Sequence, residues 1–246
     1  MADEFSRTEM LIGTDGRRAL RDAAVVVFGI GGVGSHATEA LARGGVGCLI
    51  LIDNDTVSLT NINRQSIAFH STVGRFKTHV MKEKIQDICP DTLVLTFEEF
   101  VLPDTIEALF DQIHAQLNGR FSISYILDAI DTVSSKLALA ALAAERGIPL
   151  IASMGTGNKL HPELLQISDI SKTSVCPLCR VMRKELKNRG ISELKVCWSA
   201  EKPLTPLPSD EDSGSRRSVP GSISFVPPVA GLLLAGEIIR SLCGLQ

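Results

Sequence analysis

Aromatic side chains make up only 4% of the 246 residues, with a single Trp and a single Tyr, so no row of stacking surfaces for unpaired bases is legible in the chain. Long hydrophobic runs are also missing. The longest, near Val226 to Leu242, is interrupted by Pro227, Pro228, Glu237 and Arg240, whereas a membrane-spanning helix needs about 20 mostly apolar residues. It reads as a buried helix, and no membrane association is expected. The opening Met-Ala-Asp-Glu-Phe-Ser-Arg has neither the basic segment nor the apolar core of a secretory leader, so a cytoplasmic location is expected. Cysteine is sparse and scattered, at 48, 89, 176, 179, 197 and 243, which does not make a secreted disulfide framework; reduced thiols are the default. Neither an internal repeat nor a dominant low-complexity tract is present, which excludes solenoids and largely disordered chains.

What is present is a globular composition, 44% hydrophobic and 22% charged, in a chain long enough to bury a full core. Ala24 to Gly29 is a short β-branched run ending in glycine, Ser35 to Arg43 has helical periodicity, and Cys48 to Asp53 is a second buried strand. Continuous apolar strands separated by helices indicate a parallel sheet covered on both faces. The alternation continues with a helix near 74–88, a strand near 93–97, a helix near 104–117, a strand at 123–129 and an alanine-rich helix at 133–146, stopped by Gly147 and Pro149. The expected fold is therefore α/β, a doubly wound, Rossmann-like, mainly parallel sheet. Its order loosens after residue 151 into a C-terminal elaboration: a strand near 164–169, a basic helix near 177–189, a strand at 194–198 and the final apolar helix. Residues 1–246 read as one domain, with 1–152 the nucleotide-binding core, 153–246 the elaboration, and the Pro-, Ser- and Asp-rich stretch 201–220 a flexible loop. Net charge is negative over residues 1–150 and positive beyond, so the C-terminal third is the better surface for an anionic macromolecule.

Gly29-Ile30-Gly31-Gly32-Val33-Gly34-Ser35 lies between a strand and a helix, where small residues let the backbone approach a phosphate at the helix N-terminus. Asp53 closes the next strand, the place from which a carboxylate reaches ribose hydroxyls. These two features fit a dinucleotide-dependent dehydrogenase as well as any other nucleotide enzyme. The stretch from Asp53 and Asp55 to Asn61, Arg64 and Gln65, followed by Lys77, adds cations able to return to bound phosphates, which a dinucleotide site does not need. No Gly-x-x-x-x-Gly-Lys-Ser/Thr loop occurs.

With these residues in this order, the chain resembles the ThiF/MoeB family, bacterial relatives of ubiquitin-activating enzymes, over almost its whole length. The resemblance implies an ATP- and Mg²⁺-dependent enzyme that activates a carboxylate as its acyl-adenylate and releases pyrophosphate. It places ATP on Gly29, Gly31, Gly32 and Gly34, the ribose on Asp53, and phosphates on Asn61, Arg64 and Lys77, with Asp55 and Gln65 beside them. Asp131 matches the family's Mg²⁺-supporting acid. Arg7 resembles the arginine that one subunit of a homodimer inserts into the ATP site of the other. Taken singly, each of these charged residues reads as an ordinary surface residue.

Two branches of the family compete. Sulfur-carrier adenylyltransferases typically hold Zn²⁺ on two Cys-x-x-Cys pairs, and a tetrahedral site needs four ligands. This chain has one pair, Cys176 and Cys179, with Cys197 and Cys243 isolated, so zinc is not expected. The tRNA threonylcarbamoyladenosine dehydratase branch is matched at Phe5 to Glu9, Asp128 to Val133, Lys172 to Leu178, Val181 to Leu186 and Pro220 to Pro228. That match implies a tRNA substrate and a sulfurtransferase-like protein as a further partner. Arg180, Arg183, Lys184 and Lys187 fall on one helix face, a surface for a phosphate backbone or for solvent alone.

Overall fold

The computed structural model describes residues 3–207 and 220–245, so most of the stretch expected to be a flexible loop, with Arg216 and Arg217, lies outside the described residues. A helix at the start, α1 (Ser6–Arg21), leads into β1 (Ala24–Phe28), α2 (Gly34–Gly44), β2 (Cys48–Ile52), α3 (Lys77–Ile88), β3 (Leu93–Phe97), α4 (Ile106–Leu117), β4 (Ile123–Asp128), α5 (Val133–Arg146) and β5 (Leu150–Ser153). The second half adds β6 (Leu165–Asp169), α6 (Pro177–Asn188), β7 (Lys195–Ser199) and α7 (Val226–Leu242). The strands form one sheet in the order β3-β2-β1-β4-β5-β7-β6. All neighbours are parallel except β6 and β7, which pair antiparallel with Ile167 opposite Cys197. This is the α/β, mainly parallel, doubly wound sheet that the apolar runs imply.

The period-two geometry of the strands divides their side chains between two layers. Val25, Val27, Leu49 and Leu51 pack with α2, α3 and α7, whereas Val26, Phe28, Ile50 and Ile52 pack with α4 and α5. A third cluster, with Met182, Leu186, Val196 and Trp198, seats α6 against the far end of the sheet. Two elements escape the periodicity reading. Helix α1, which no apolar stripe announces, bends at Gly13 (φ +70°) and lays only Gly16 and Leu20 fully into the core. Strand β5 is four residues long, too short to register as an apolar run, and is held by β4 and β7 on either side.

Candidate active site

Strand order reverses at β1, with β2 on one side and β4 on the other. In open α/β sheets the crevice beyond the carboxyl ends of the strands at that switch is where ligands bind. A cavity of about 600 Å³ lies there, lined by Gly29, Gly31 and Gly32 after β1, Asp53 and Asp55 after β2, and Ala129 to Thr132 after β4. Asn61, Arg64, Gln65 and Lys77, from the crossover between β2 and α3, close another side. Ten residues singled out from sequence thus face one space, although they span more than a hundred positions.

The glycines do different jobs. Gly29 has φ +86° and packs where a Cβ would stand 2.7 Å from the Ala129 carbonyl oxygen. Gly34 is buried outside the cavity lining; a Cβ there would collide with the Gly29 carbonyl oxygen. It serves the close approach of α2 to the end of β1, whereas a Cβ on Gly31 would meet the Gln65 Nε2 at an unstrained 3.9 Å.

Asp53 is already engaged by the backbone: Oδ2 accepts from Ile30 N at 2.6 Å and Oδ1 from Asp55 N at 2.8 Å. It therefore ties the turn after β2 to the turn after β1. Burial pushes its carboxyl above the ordinary value, opposed by Lys77 and the two amides. Lys77, almost fully buried at the start of α3, is held at 2.7 Å from the Asp55 carboxylate. Arg64 donates to the Thr60 carbonyl at 3.0 Å and to Asn63 Oδ1 at 2.9 Å, and its own carbonyl is contacted by His36 Nε2 at 3.1 Å. Burial lowers the His36 pKa. Asn61 Oδ1 caps its own turn by accepting from Ser58 N. Gln65 is 7% exposed and its Oε1 has no partner among the described residues. A buried acceptor left open beside a cavity is a place for a ligand donor. Asp131 is exposed to the cavity and, among the described residues, holds only a long hydrogen bond, 3.4 Å, from Thr132 Oγ1.

Other residues singled out from the sequence lie elsewhere. Arg7 is exposed on α1 and does not line this cavity. Arg180, Lys184 and Lys187 are exposed on α6, but Arg183 is not free for an outside partner: its guanidinium donates to the Thr173 carbonyl at 2.8 Å and to Thr173 Oγ1. Those contacts tie α6 to the loop before it, which charge periodicity alone does not reveal. Cys176 and Cys179 share one core cluster, while Cys197 and Cys243 belong to another. No group of three or more His, Cys, Asp or Glu able to hold a metal occurs among the described residues. Burial pushes the Cys197 thiol up to about 12, which leaves it a poor nucleophile.

The ThiF family model matches residues 5–246. A tRNA threonylcarbamoyladenosine dehydratase of Bacillus subtilis is 40% identical over 251 residues, 98% of this chain and 95% of its own length. The chain belongs to the ThiF family. The solved structure of E. coli tRNA N6-threonylcarbamoyladenosine dehydratase in complex with ATP superposes with a TM-score of 0.85 at 33% identity, covering 98% of this chain and 94% of that one. A molybdopterin-synthase adenylyltransferase of Salmonella typhimurium is 35% identical over 150 residues, 60% of this chain and 56% of its own length. In this ThiF-family chain the cavity also takes in Glu99 to Val101 after β3, Thr156 after β5, and Ser222 and Pro227 at the approach to α7. Sequence reasoning missed these. They are brought in by topology; Ser222 and Pro227 do fall in the Pro220 to Pro228 match noted above, and Phe100 is 50% exposed in the structure.

Proposed function

We propose that this chain uses ATP and Mg²⁺ to cyclise threonylcarbamoyladenosine in tRNA. The threonyl carboxylate attacks the α-phosphorus of ATP and pyrophosphate leaves; the carbamoyl group of the same nucleoside then attacks the activated carbonyl and expels AMP. The net change is loss of one water. The observation that carries this reading over sulfur-carrier adenylation is end-to-end similarity to a dehydratase, 98% of the chain, where the sulfur-carrier branch aligns over 60%. A tethered nucleophile needs no protein thiol, because an intramolecular attack has a high effective concentration. That agrees with a cavity whose lining includes no cysteine among the described residues.

Attack at phosphorus gathers negative charge, which Lys77 and Arg64, two cations of the cavity lining, would meet. The amides after β1 face the phosphates at the start of α2, Asp53 meets the ribose hydroxyls, and Phe100 offers the base an apolar face. Mg²⁺ binds through one or two carboxylates together with phosphates and water rather than in an all-protein cage. Asp131, an exposed carboxylate of the lining with lone pairs to spare, fits an ion that arrives with the nucleotide, where it would offset phosphate charge.

The protein acts as a homodimer in this reading. Met10 and Leu11, on the same helix as Arg7, are 83% and 86% exposed, apolar surface that a second copy would cover while directing Arg7 into its site. The exposed cations of α6 are the surface assigned to tRNA. No helix among the described residues is long and apolar enough to cross a membrane.

The experiment is mass spectrometry of nucleosides from threonylcarbamoyl-modified tRNA incubated with the protein, with and without ATP and Mg²⁺. ATP-dependent loss of one water from that nucleoside is expected. An unchanged nucleoside, with AMP appearing only when a Gly-Gly-terminated carrier protein is supplied, would transfer the assignment to the sulfur-carrier branch.

A further inference from the structure

Beneath the turn that carries Asp131 lies an ion pair with no access to solvent. Lys136, on the first turn of α5, and Asp128, the last residue of β4, are 0% and 1% exposed, and Lys136 Nζ stands 3.0 Å from Asp128 Oδ1. Both groups also grip the same residue. Lys136 Nζ donates to the Ile130 carbonyl at 3.0 Å, and Asp128 Oδ1 accepts from the Ile130 amide at 3.1 Å. From above, Gly29 closes on the Ala129 carbonyl, and Ala129 N donates to the Phe28 carbonyl at 2.8 Å. The peptides on both sides of Ile130 are thus held, and Asp131 follows at once. Among the described residues Asp131 has only the long Thr132 contact to fix its own carboxylate, so its aim is set by this backbone.

Stability alone is a poor reason for such a pair. Removing two charges from water is costly, and well-packed apolar residues of similar volume commonly do as well or better. The pair is also imperfect, since Asp128 Oδ2 is buried with no partner among the described residues. An incompletely satisfied buried charge under a ligand cavity calls for a reason other than packing.

We propose that the Lys136–Asp128 pair is a clamp on Ile130 that aims Asp131 into the cavity, which makes Lys136 a positioning residue for adenylation. The proposal rests on the reading of Asp131 given above. A misplacement of about 1 Å at a reacting centre costs on the order of 100-fold in rate, so a clamp that leaves nucleotide binding alone is visible in turnover.

The test is the double variant Asp128→Leu/Lys136→Met, which removes both buried charges at similar volume, alongside Asp131→Asn. Expected for the double variant are a melting temperature at or above the parent's, kcat for ATP-dependent AMP formation on modified tRNA down by at least ~10-fold, and KM for ATP little changed. Amide hydrogen exchange at Ile130 and Asp131, measured without nucleotide, should quicken while the rest of β4 and α5 is unaltered. A folded double variant with the parent's kcat and the parent's exchange overturns the clamp. If the double variant does not fold, Lys136→Met decides by the same readouts: Asp128, deprived of its cation, takes up a proton and still accepts from the Ile130 amide, so only the carbonyl tether is lost. A fully active Asp131→Asn overturns instead the role given to Asp131, whereas an inactive one beside a fully active double variant overturns the positioning role alone.

Discussion

Gly31 and Gly34 look equivalent in the glycine-rich turn, yet they stand in different surroundings. A Cβ on Gly31 would stand 3.9 Å from the Gln65 Nε2, an ordinary contact, while the Gly29 carbonyl blocks any side chain at Gly34. Gly31→Ala is expected to melt with the parent and bind ATP more weakly, because a methyl group stands where phosphate would approach the backbone. Gly34→Ala is expected to lose about 1–3 kcal/mol of stability as an overpacked backbone contact; thermal melts and ATP titrations of both separate the two effects. Asp53 has a pH signature of its own. Burial raises its carboxyl above 3.8, so the folded protein takes up this proton before the unfolded chain does. Its contribution to stability therefore falls as pH rises through the window between 3.8 and the folded value. For binding the sign is opposite: the ionised form accepts from Ile30 N and Asp55 N, so ATP affinity should fall on acidification beginning above pH 3.8. Titrations of ATP binding against pH should show that limb in the parent and a flatter one in Asp53→Asn.

At the scale of an element, α6 is amphipathic in the ordinary way: Cys179, Met182 and Leu186 are buried and Arg180, Lys184 and Lys187 are exposed. Arg183 shares their side of the helix by spacing, but it works inward on the loop before α6. Charge reversal at Lys184 and Lys187 together is expected to weaken tRNA binding and to flatten its dependence on salt by about two phosphate contacts' worth. Arg183→Glu should instead lower thermal stability. Binding curves at several salt concentrations, with melts of each variant, check both, and an unaltered slope for the lysine pair would move tRNA to another surface. Helix α7 shows what element packing adds to a pattern. A side chain at Gly231 would meet the Val33 carbonyl and the Ala37 amide, so α7 lies directly on the start of α2 and braces the glycine-rich turn from behind.

For the whole molecule, the question is whether one chain makes a complete site. Arg7 is exposed and outside the cavity of its own chain, so a role in catalysis requires a second copy. Arg7→Ala and Asp131→Ala are each expected to be inactive alone. Mixed under conditions that exchange subunits, they should recover about a quarter of parental turnover, because half of the random dimers are mixed and each carries one intact site. No recovery despite demonstrated exchange would confine Arg7 to its own subunit or to no role.

Sequence alone determined the parallel sheet, because strands buried on both faces must be continuously apolar, and it marked the switch-point residues, because a glycine turn, an acid at a strand end and returning cations are local, ordered signals. It left α1 and β5 unrecognised: the first buries too little, and the second is too short for periodicity to show. Tertiary structure decided what sequence spacing does not encode. It separated Gly34 from the cavity, turned Arg183 inward, placed Phe100 and Thr156 beside residues far away in the chain, and set Lys136 beneath Asp131. Those are contacts between elements, and which atoms meet there depends on how layers pack rather than on the pattern within any one of them.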